Sequence, residues 1–446
     1  MTKDNQITLP FASISGKNVN ADFMGGTLTS DGGVLFLREV ERGVGVIRRL
    51  LGALTDHRHQ SYIDHSYEEL LSQRVYQIAC GYEDANDCND LRSDPAIKAA
   101  CDRLPITGGD LASQATMTRL ENSVTRTQLY RMARALVDTF LASYKKPPEA
   151  IILDIDDTDD PTHGTQQMSL FNAFHDEYCY MPLHVYEGRS GKLITTILRP
   201  GKRPSGGEIT TILKRLGTYI RTHWPTVKII VRGDSHFSAP EVHDWCDENQ
   251  VDYALGQSGN AVLKEKASRL LEQAQSLYKV TQKKIRLFTS FPYKAGTWKK
   301  PRRILCKVEV SDHGENIRFV TTSFESSQPS FIYDTVYCAR GQMENYIKNH
   351  KTFLHSDRTS CHSFMANQFR LFLHSAAYVL LHTLAEKGLK GTKWARAQYN
   401  TLQNRILKVG ARVHELVTKV KFHFPTSFPL KELFVTILYN LSRAFP

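Results

Sequence analysis

Residues 150–156 read Ala-Ile-Ile-Leu-Asp-Ile-Asp, followed by Asp157 and Thr158. A short apolar run ending in acids has the pattern of a buried strand, and on a strand alternate residues share a face. Asp154 and Asp156 therefore point the same way, opposite Leu153 and Ile155. Two like charges side by side on a buried strand are costly unless something positive compensates them. A divalent metal is the simplest compensator; a strand end already in solvent is the alternative.

Working outward, Lys145-Lys146-Pro147-Pro148 stops whatever helix precedes the strand and marks a boundary. Downstream, YMPLHVYE (180–187), the turn GRSGK and LITTILRP (193–200) predict a hairpin. A helix is predicted over 206–222, a strand at VKIIVRG (227–233), a helix over 238–248 and a strand at VDYALGQ (251–257). The order β-β-β-α-β-α-β is that of a ribonuclease-H-like α/β fold with a mixed sheet. Residues 1–147 read as mostly helical, with Leu129, Met132, Leu136 and Phe140 spaced along one face. Residues 261–335 alternate in period two after a short helical piece and predict an all-β insertion. The core resumes at 336–390, and 391–446 reads as a basic helical C-terminal region. The predicted divisions are thus 1–147, 148–260, 261–335, 336–390 and 391–446.

Two further places offer carboxylates. Asp234 follows an apolar strand, where α/β sheets present ligand groups, although it also suits the cap of the next helix. Tyr337, Arg340, Glu344 and Lys351 are spaced by 3, 4 and 7, which puts all four on one helical face. A solvated face with a Glu344–Lys348 pair explains the same spacing. Taken together, Asp156 (or Asp154), Asp234 and Glu344 form a set of hard oxygen donors suited to Mg²⁺. Two such ions serve phosphodiester chemistry without a covalent protein nucleophile.

The chain has 446 residues and a formal net charge of +11. Residues 337–446 hold sixteen Lys and Arg against five Asp and Glu, an excess equal to that of the whole chain. A second run, 279–303, carries nine basic residues and no acid, among them Lys299, Lys300, Arg302 and Arg303 beside Trp298. Two such runs favour a polyanion-binding surface over solvated faces. The most apolar long stretch, 364–384, is interrupted by polar residues, so no membrane span is expected. The start MTKDNQITLPF lacks the basic and apolar regions of a signal peptide. Eight scattered cysteines without a C-x-x-C pair are expected to be reduced thiols.

Tyr337-x2-Arg340-x3-Glu344-x6-Lys351 resembles, without a gap, the Y-(2)-R-(3)-E-(6)-K signature of DDE transposases from bacterial insertion sequences. LTSDGGVLFLREV (28–40), QRVYQIACGYEDANDCNDLRSDP (73–95), LASQATMTRLEN (111–122), LDIDDTDDPTHGTQ (153–166), LRPGK (198–202) and RLFLHSAAYVLL (370–381) resemble the DDE group 1 type. The resemblance implies a ribonuclease-H-like core whose Asp156, Asp234 and Glu344 bind two Mg²⁺ ions, with Mn²⁺ as a substitute. Asp154 is the reserve for the first acid. It implies that Tyr337, Arg340 and Lys351 contact double-stranded DNA, and that Trp298 stacks on a flipped base. The implied partners are the element's terminal inverted repeats and target DNA. The implied assembly is a homodimer on DNA, in a bacterial cytoplasm at the nucleoid.

Two other readings remain. Asp154-x-Asp156-x-Thr158 also resembles the DxDxT motif of haloacid-dehalogenase-type phosphatases, with Asp154 as nucleophile, though Ser238 stands where that family's GDSxxD motif needs Asp. The other is a non-catalytic DNA-binding relative.

Overall fold

The computed structural model describes residues 7–445. The expectation about a signal peptide falls partly on residues 1–6, which lie outside the described residues. The chain divides into two compact units: Arg48–Thr55 with Glu121–His382, and Met1–Ile47 with Asp56–Leu120 and Thr383–Pro446.

The first of these holds a mixed eight-stranded sheet. Helix α1 (Arg126–Ala142) opens with a capping box, Thr125 and Gln128 satisfying each other's backbone N–H groups. Strands β1 (Ala150–Asp157), β2 (Leu183–Glu187) and β3 (Leu193–Ile197) follow. Then come α2 (Gly206–His223), β4 (Lys228–Gly233), α3 (Pro240–Glu248) and β5 (Val251–Gln257). A helix α4 (Ala261–Thr281) leads to β6 (Ile285–Tyr293), β7 (Arg302–Ser311) and β8 (Gly314–Thr322). Strands β1, β4 and β5 are parallel, and β2, β3 and β8 run antiparallel to their neighbours. The order across the sheet is β6-β7-β8-β5-β4-β1-β2-β3.

One face of the parallel strands is apolar because helices cover it. Val137 and Phe140 of α1, Leu213 and Ile220 of α2, and Val242 and Trp245 of α3 close over Ile151, Leu153, Ile155, Ile229 and Val231. The segment expected as an all-β insertion departs from that reading in two ways. It opens with the 21 residues of α4, and its three strands extend the core sheet through β8–β5 pairing. A period-two pattern predicts strands but says nothing of which edge they join.

Past β8 the chain winds through Pro329–Phe331, a wide π turn (Ile332–Tyr337), a tight 3₁₀ turn (Cys338–Gly341), helix α5 (Gln342–Lys348) and a second π turn (Asn349–Phe353). Helix α6 (Phe364–Thr383) then packs beside β3, with Gln368 Oε1 accepting from the Leu198 N–H at 2.7 Å and Ser375 Oγ 2.8 Å from Thr196 Oγ1.

In the other unit, helices Val34–Val44, Tyr67–Ala79, Pro95–Ala100 and Lys431–Ala444 supply about half of the buried side chains. The expected helical C-terminal region instead contains a hairpin, Ala411–Leu416 with Lys419–His423, joined to Leu28–Thr29. Likewise Leu9–Ile14 and Lys17–Ala21 form a hairpin within the segment expected to be mostly helical. Several of the family-like phrases are structural devices. Gly33 passes so close to Ile406 and Leu407 that a Cβ would meet their backbone, and its N–H donates to the Leu407 carbonyl at 3.0 Å. Gln73, fully buried, exchanges two hydrogen bonds with the backbone of Ala112, at 2.9 and 3.0 Å.

Candidate active site

The pairing of β1 with β4 builds the site. Arg232 of β4 stands opposite Asp154 of β1. Its guanidinium grips that carboxylate with two hydrogen bonds of 2.6 Å, Nε to Oδ1 and Nη2 to Oδ2, and donates a third to the Val336 carbonyl. Asp154 is fully buried. Burial holds its carboxyl above the usual range despite Arg232. Both its oxygens are engaged and shut from solvent, a poor situation for the nucleophile that the phosphatase reading requires.

Two positions further on come Asp156, still on β1, and Asp234, just past the end of β4, where the side chains open toward solvent at 16% and 31% exposure. Asp234 Oδ1 accepts the His236 N–H at 2.8 Å, folding the turn after β4. Asp156 meets Arg340, whose Nη1 lies 2.9 Å from Oδ2. Burial pushes the Asp156 carboxyl up to about 7; Arg340 opposes the rise, and Asp234 and Asp157 add to it. Arg340 in turn is affected by three carboxylates, Asp156, Asp234 and Glu344, together with Tyr337. Of the three acids singled out from the sequence, Asp156 touches this guanidinium, and Asp234 and Glu344 act on it through their charge.

Tyr337 lies against β5. At Gly256 a Cβ would stand 2.7 Å from the Tyr337 hydroxyl and 2.9 Å from the Ser235 nitrogen, so glycine is what admits both the tyrosine and the Asp234 turn. Lys351 secures the end of β1: its Nζ lies 3.3 Å from Thr158 Oγ1 and 3.1 Å from Asp159 Oδ2, and donates to the Asp159 carbonyl. Burial works to raise the Asp159 carboxyl, and Lys351 overcomes it, leaving the group below its usual value. Glu344 is exposed on α5.

Neighbours not singled out from the sequence complete the surroundings. Asp157, 3% exposed, lies 3.5 Å from Arg199 and 3.6 Å from His236. Pairing with Asp157 holds His236 above its ordinary value against burial, and Asp234, 3.9 Å away, adds to this. Arg199 sits in the LRPGK phrase and also binds Glu208 at 2.7 Å. His184, opposite Asp156 on β2, is pushed down to about 3 by burial, with Lys351 adding, and so carries no charge that would compete with Arg340.

The second basic run is placed differently from a DNA-facing surface. Trp298 is 5% exposed, packed against His243 and Tyr293 at ring distances of 5.2 and 5.5 Å. Arg302, 2% exposed, binds Asp244 at 2.6 Å, Asp247 and the Tyr253 hydroxyl. Lys299 pairs with Asp244 and Glu248 at 3.2 and 3.5 Å, and Lys300 with Asp247 at 3.1 Å. Arg303 donates to the carbonyls of Phe324, Glu325 and Ser327. The acids of α3, remote in sequence, balance Lys299, Lys300 and Arg302, while Lys284 and Arg286 pair with Glu309, so this part of the run's charge looked free in one dimension.

The donor chemistry fits a hard divalent cation: oxygen ligands only, with a carboxyl raised chiefly by burial and further by Asp234 and Asp157. Among the described residues, no three Asp, Glu, His or Cys side chains are gathered closely enough to hold a metal ion. No helix among them is long and apolar enough to cross a membrane.

No curated protein matches the sequence. Among solved structures, a piggyBac transposase synaptic complex with hairpin DNA is similar at a TM-score of 0.44 and 11% identity, over 94% of this chain and 86% of that one. The family model described as "Transposase DDE domain group 1" matches residues 11–446. With a match of that extent, the chain belongs to the DDE transposase family, group 1.

Proposed function

We propose that this transposase cuts the ends of an insertion sequence and joins them to target DNA, with Asp156, Asp234 and Glu344 as its acids. The observation that carries the reading is the Asp156–Arg340 pair at 2.9 Å, with Asp234 and Glu344 also acting on that guanidinium through their charge, within a chain of this family. The order β3-β2-β1-β4-β5, with β2 antiparallel, supports a ribonuclease-H-like core made by residues 148–260 and 336–390. Asp156 is preferred to Asp154 as first acid because Asp154 is occupied by Arg232.

Asp156, Asp234 and Glu344 would hold Mg²⁺, or Mn²⁺ by the same oxygen chemistry, which would supply activation of a water or 3′-hydroxyl and charge stabilisation at the leaving oxygen. Arg340 balances the acids and offers donors to a phosphodiester. Lys351 fixes the Thr158–Asp159 end of β1, and Tyr337 braces the Asp234 turn. Double-stranded DNA is the partner, bound by two copies of the chain.

The test is Asp234→Asn assayed on a plasmid carrying the element's ends. Mg²⁺-dependent strand cutting should disappear while DNA binding persists. Cutting that survives would remove Asp234 from the set, and with it this reading.

A further inference from the structure

The hairpin Ala411–Leu416/Lys419–His423 divides its charge between its two faces. The register pairs Arg412 with His423, His414 with Lys421 and Leu416 with Lys419. Directly paired residues share a face, so these six side chains stand on one side. That side holds three cationic groups, two imidazoles and no acid. Arg412, Lys419, Lys421 and His423 are exposed. Among the described residues no ion pair engages Arg412, Lys419 or Lys421.

The opposite face anchors the hairpin. Val413 is buried. The one acid of the hairpin, Glu415, lies on this face and accepts from the N–H groups of Ile106 and Thr107 at 2.8 and 3.2 Å. The Leu28–Thr29 strand closes one edge of the hairpin through Ala411 and Arg412. The cations are thus presented on a secured ribbon.

We propose that this face is a docking ribbon for the phosphate backbone of duplex DNA. The proposal rests on the reading of the chain as a DNA-processing enzyme and adds a binding surface apart from its acids. Charge complementarity selects the occupant: a single-sign face without a counter-acid suits a polyanion. Geometry favours the duplex. Alternate residues on a strand stand about 6.8 Å apart, twice the roughly 3.4 Å axial spacing of phosphates along one DNA strand. A two-stranded ribbon is also narrow enough to enter the major groove.

The experiment uses the full chain and a fluorescein-labelled duplex, with anisotropy titrations from about 50 to 200 mM salt. Replacing Arg412, Lys419 and Lys421 together by Ala should flatten the plot of log K against log salt by about 2.7, roughly 0.9 for each phosphate no longer neutralised. A second variant, Arg412→Lys with Lys419→Arg and Lys421→Arg, should keep the wild-type slope, which separates a missing charge from a damaged fold. A triple-Ala slope equal to wild type overturns the proposal. So does a loss confined to heparin or anionic vesicles with duplex binding intact, since the face would then serve another partner. Strand cutting by the wild type in Mg²⁺, measured on the same preparation, reads the proposed function separately. If cutting is absent but the slope changes as expected, the active-site reading fails and the ribbon stands.

Discussion

Arg340 Nη1 lies 2.9 Å from Asp156 Oδ2, and the carboxyl it meets is nevertheless raised to about 7. One guanidinium does not offset burial together with Asp234 and Asp157. In the unfolded chain an aspartate titrates near 3.9, so the folded state holds this proton more tightly. Its stabilising contribution is complete below about pH 4 and is lost as pH rises through about 7. In EDTA, wild type should lose stability relative to Asp156→Asn across that window, by on the order of 1–4 kcal/mol. Urea unfolding at several pH values checks this; a pH-independent difference would refute it.

Because Asp156 is partly protonated near neutrality, Mg²⁺ binding should expel a proton. Apparent affinity should then rise with pH up to about 7 and level off above it. Calorimetry in two buffers of different ionisation enthalpy measures the release, which Asp156→Asn should eliminate.

Asp154→Asn should act on stability. It would leave Arg232, 1% exposed, as a buried charge with half its partner gone. The expected cost is about 3–5 kcal/mol, and the double change to Asp154→Leu with Arg232→Met should recover most of it. Thermal or urea unfolding decides. A stable Asp154→Asn protein that cannot cut DNA would instead make Asp154 the first acid.

Trp298→Ala should cost about 3–5 kcal/mol, as for other buried aromatic side chains. At a temperature where the variant is folded, its DNA affinity should equal that of wild type. Weakened binding without destabilisation would revive Trp298 as a base-stacking residue.

Gly256→Ala should impair cutting more than binding. The added methyl meets the Tyr337 hydroxyl and the Ser235 backbone, displacing the turn that carries Asp234. Tyr337→Phe in the same chain should restore part of the activity by removing the atom nearest the methyl. Absence of any rescue would locate the damage in the turn alone.

The core strands were legible because they are apolar runs bounded by Gly, Pro and acids, and β1, β4 and β5 fall within a residue or so of their predicted limits. The shared face of Asp154 and Asp156 was legible too. Their different fates were not, because Arg232 meets Asp154 only through strand pairing across 78 positions. The balancing of Lys299, Lys300 and Arg302 by α3 escaped for the same reason: it is pairing through space. The hairpin after Ala411 was missed because RVHELVTKVKFH has no Gly, Asn or Asp at its turn and its charges also suit a helix. The one-face spacing of Tyr337, Arg340, Glu344 and Lys351 presumed a uniform helix. The π and 3₁₀ turns redistribute them: Tyr337 goes to β5, Arg340 to Asp156 and Lys351 to Thr158 and Asp159.

The register that sets Arg232 against Asp154 has a consequence for how the chain tolerates change. Asp156 stands on β1 and Asp234 in the turn just past β4, so the gauge between them is set by the β1–β4 ladder and the Arg232 rivet that precede both. Exchanging one aliphatic residue for another under the sheet would cost stability well before it altered that gauge. Slippage of β4 by a single residue would lose it at once, turning Asp234 to the far face and unlocking Asp154.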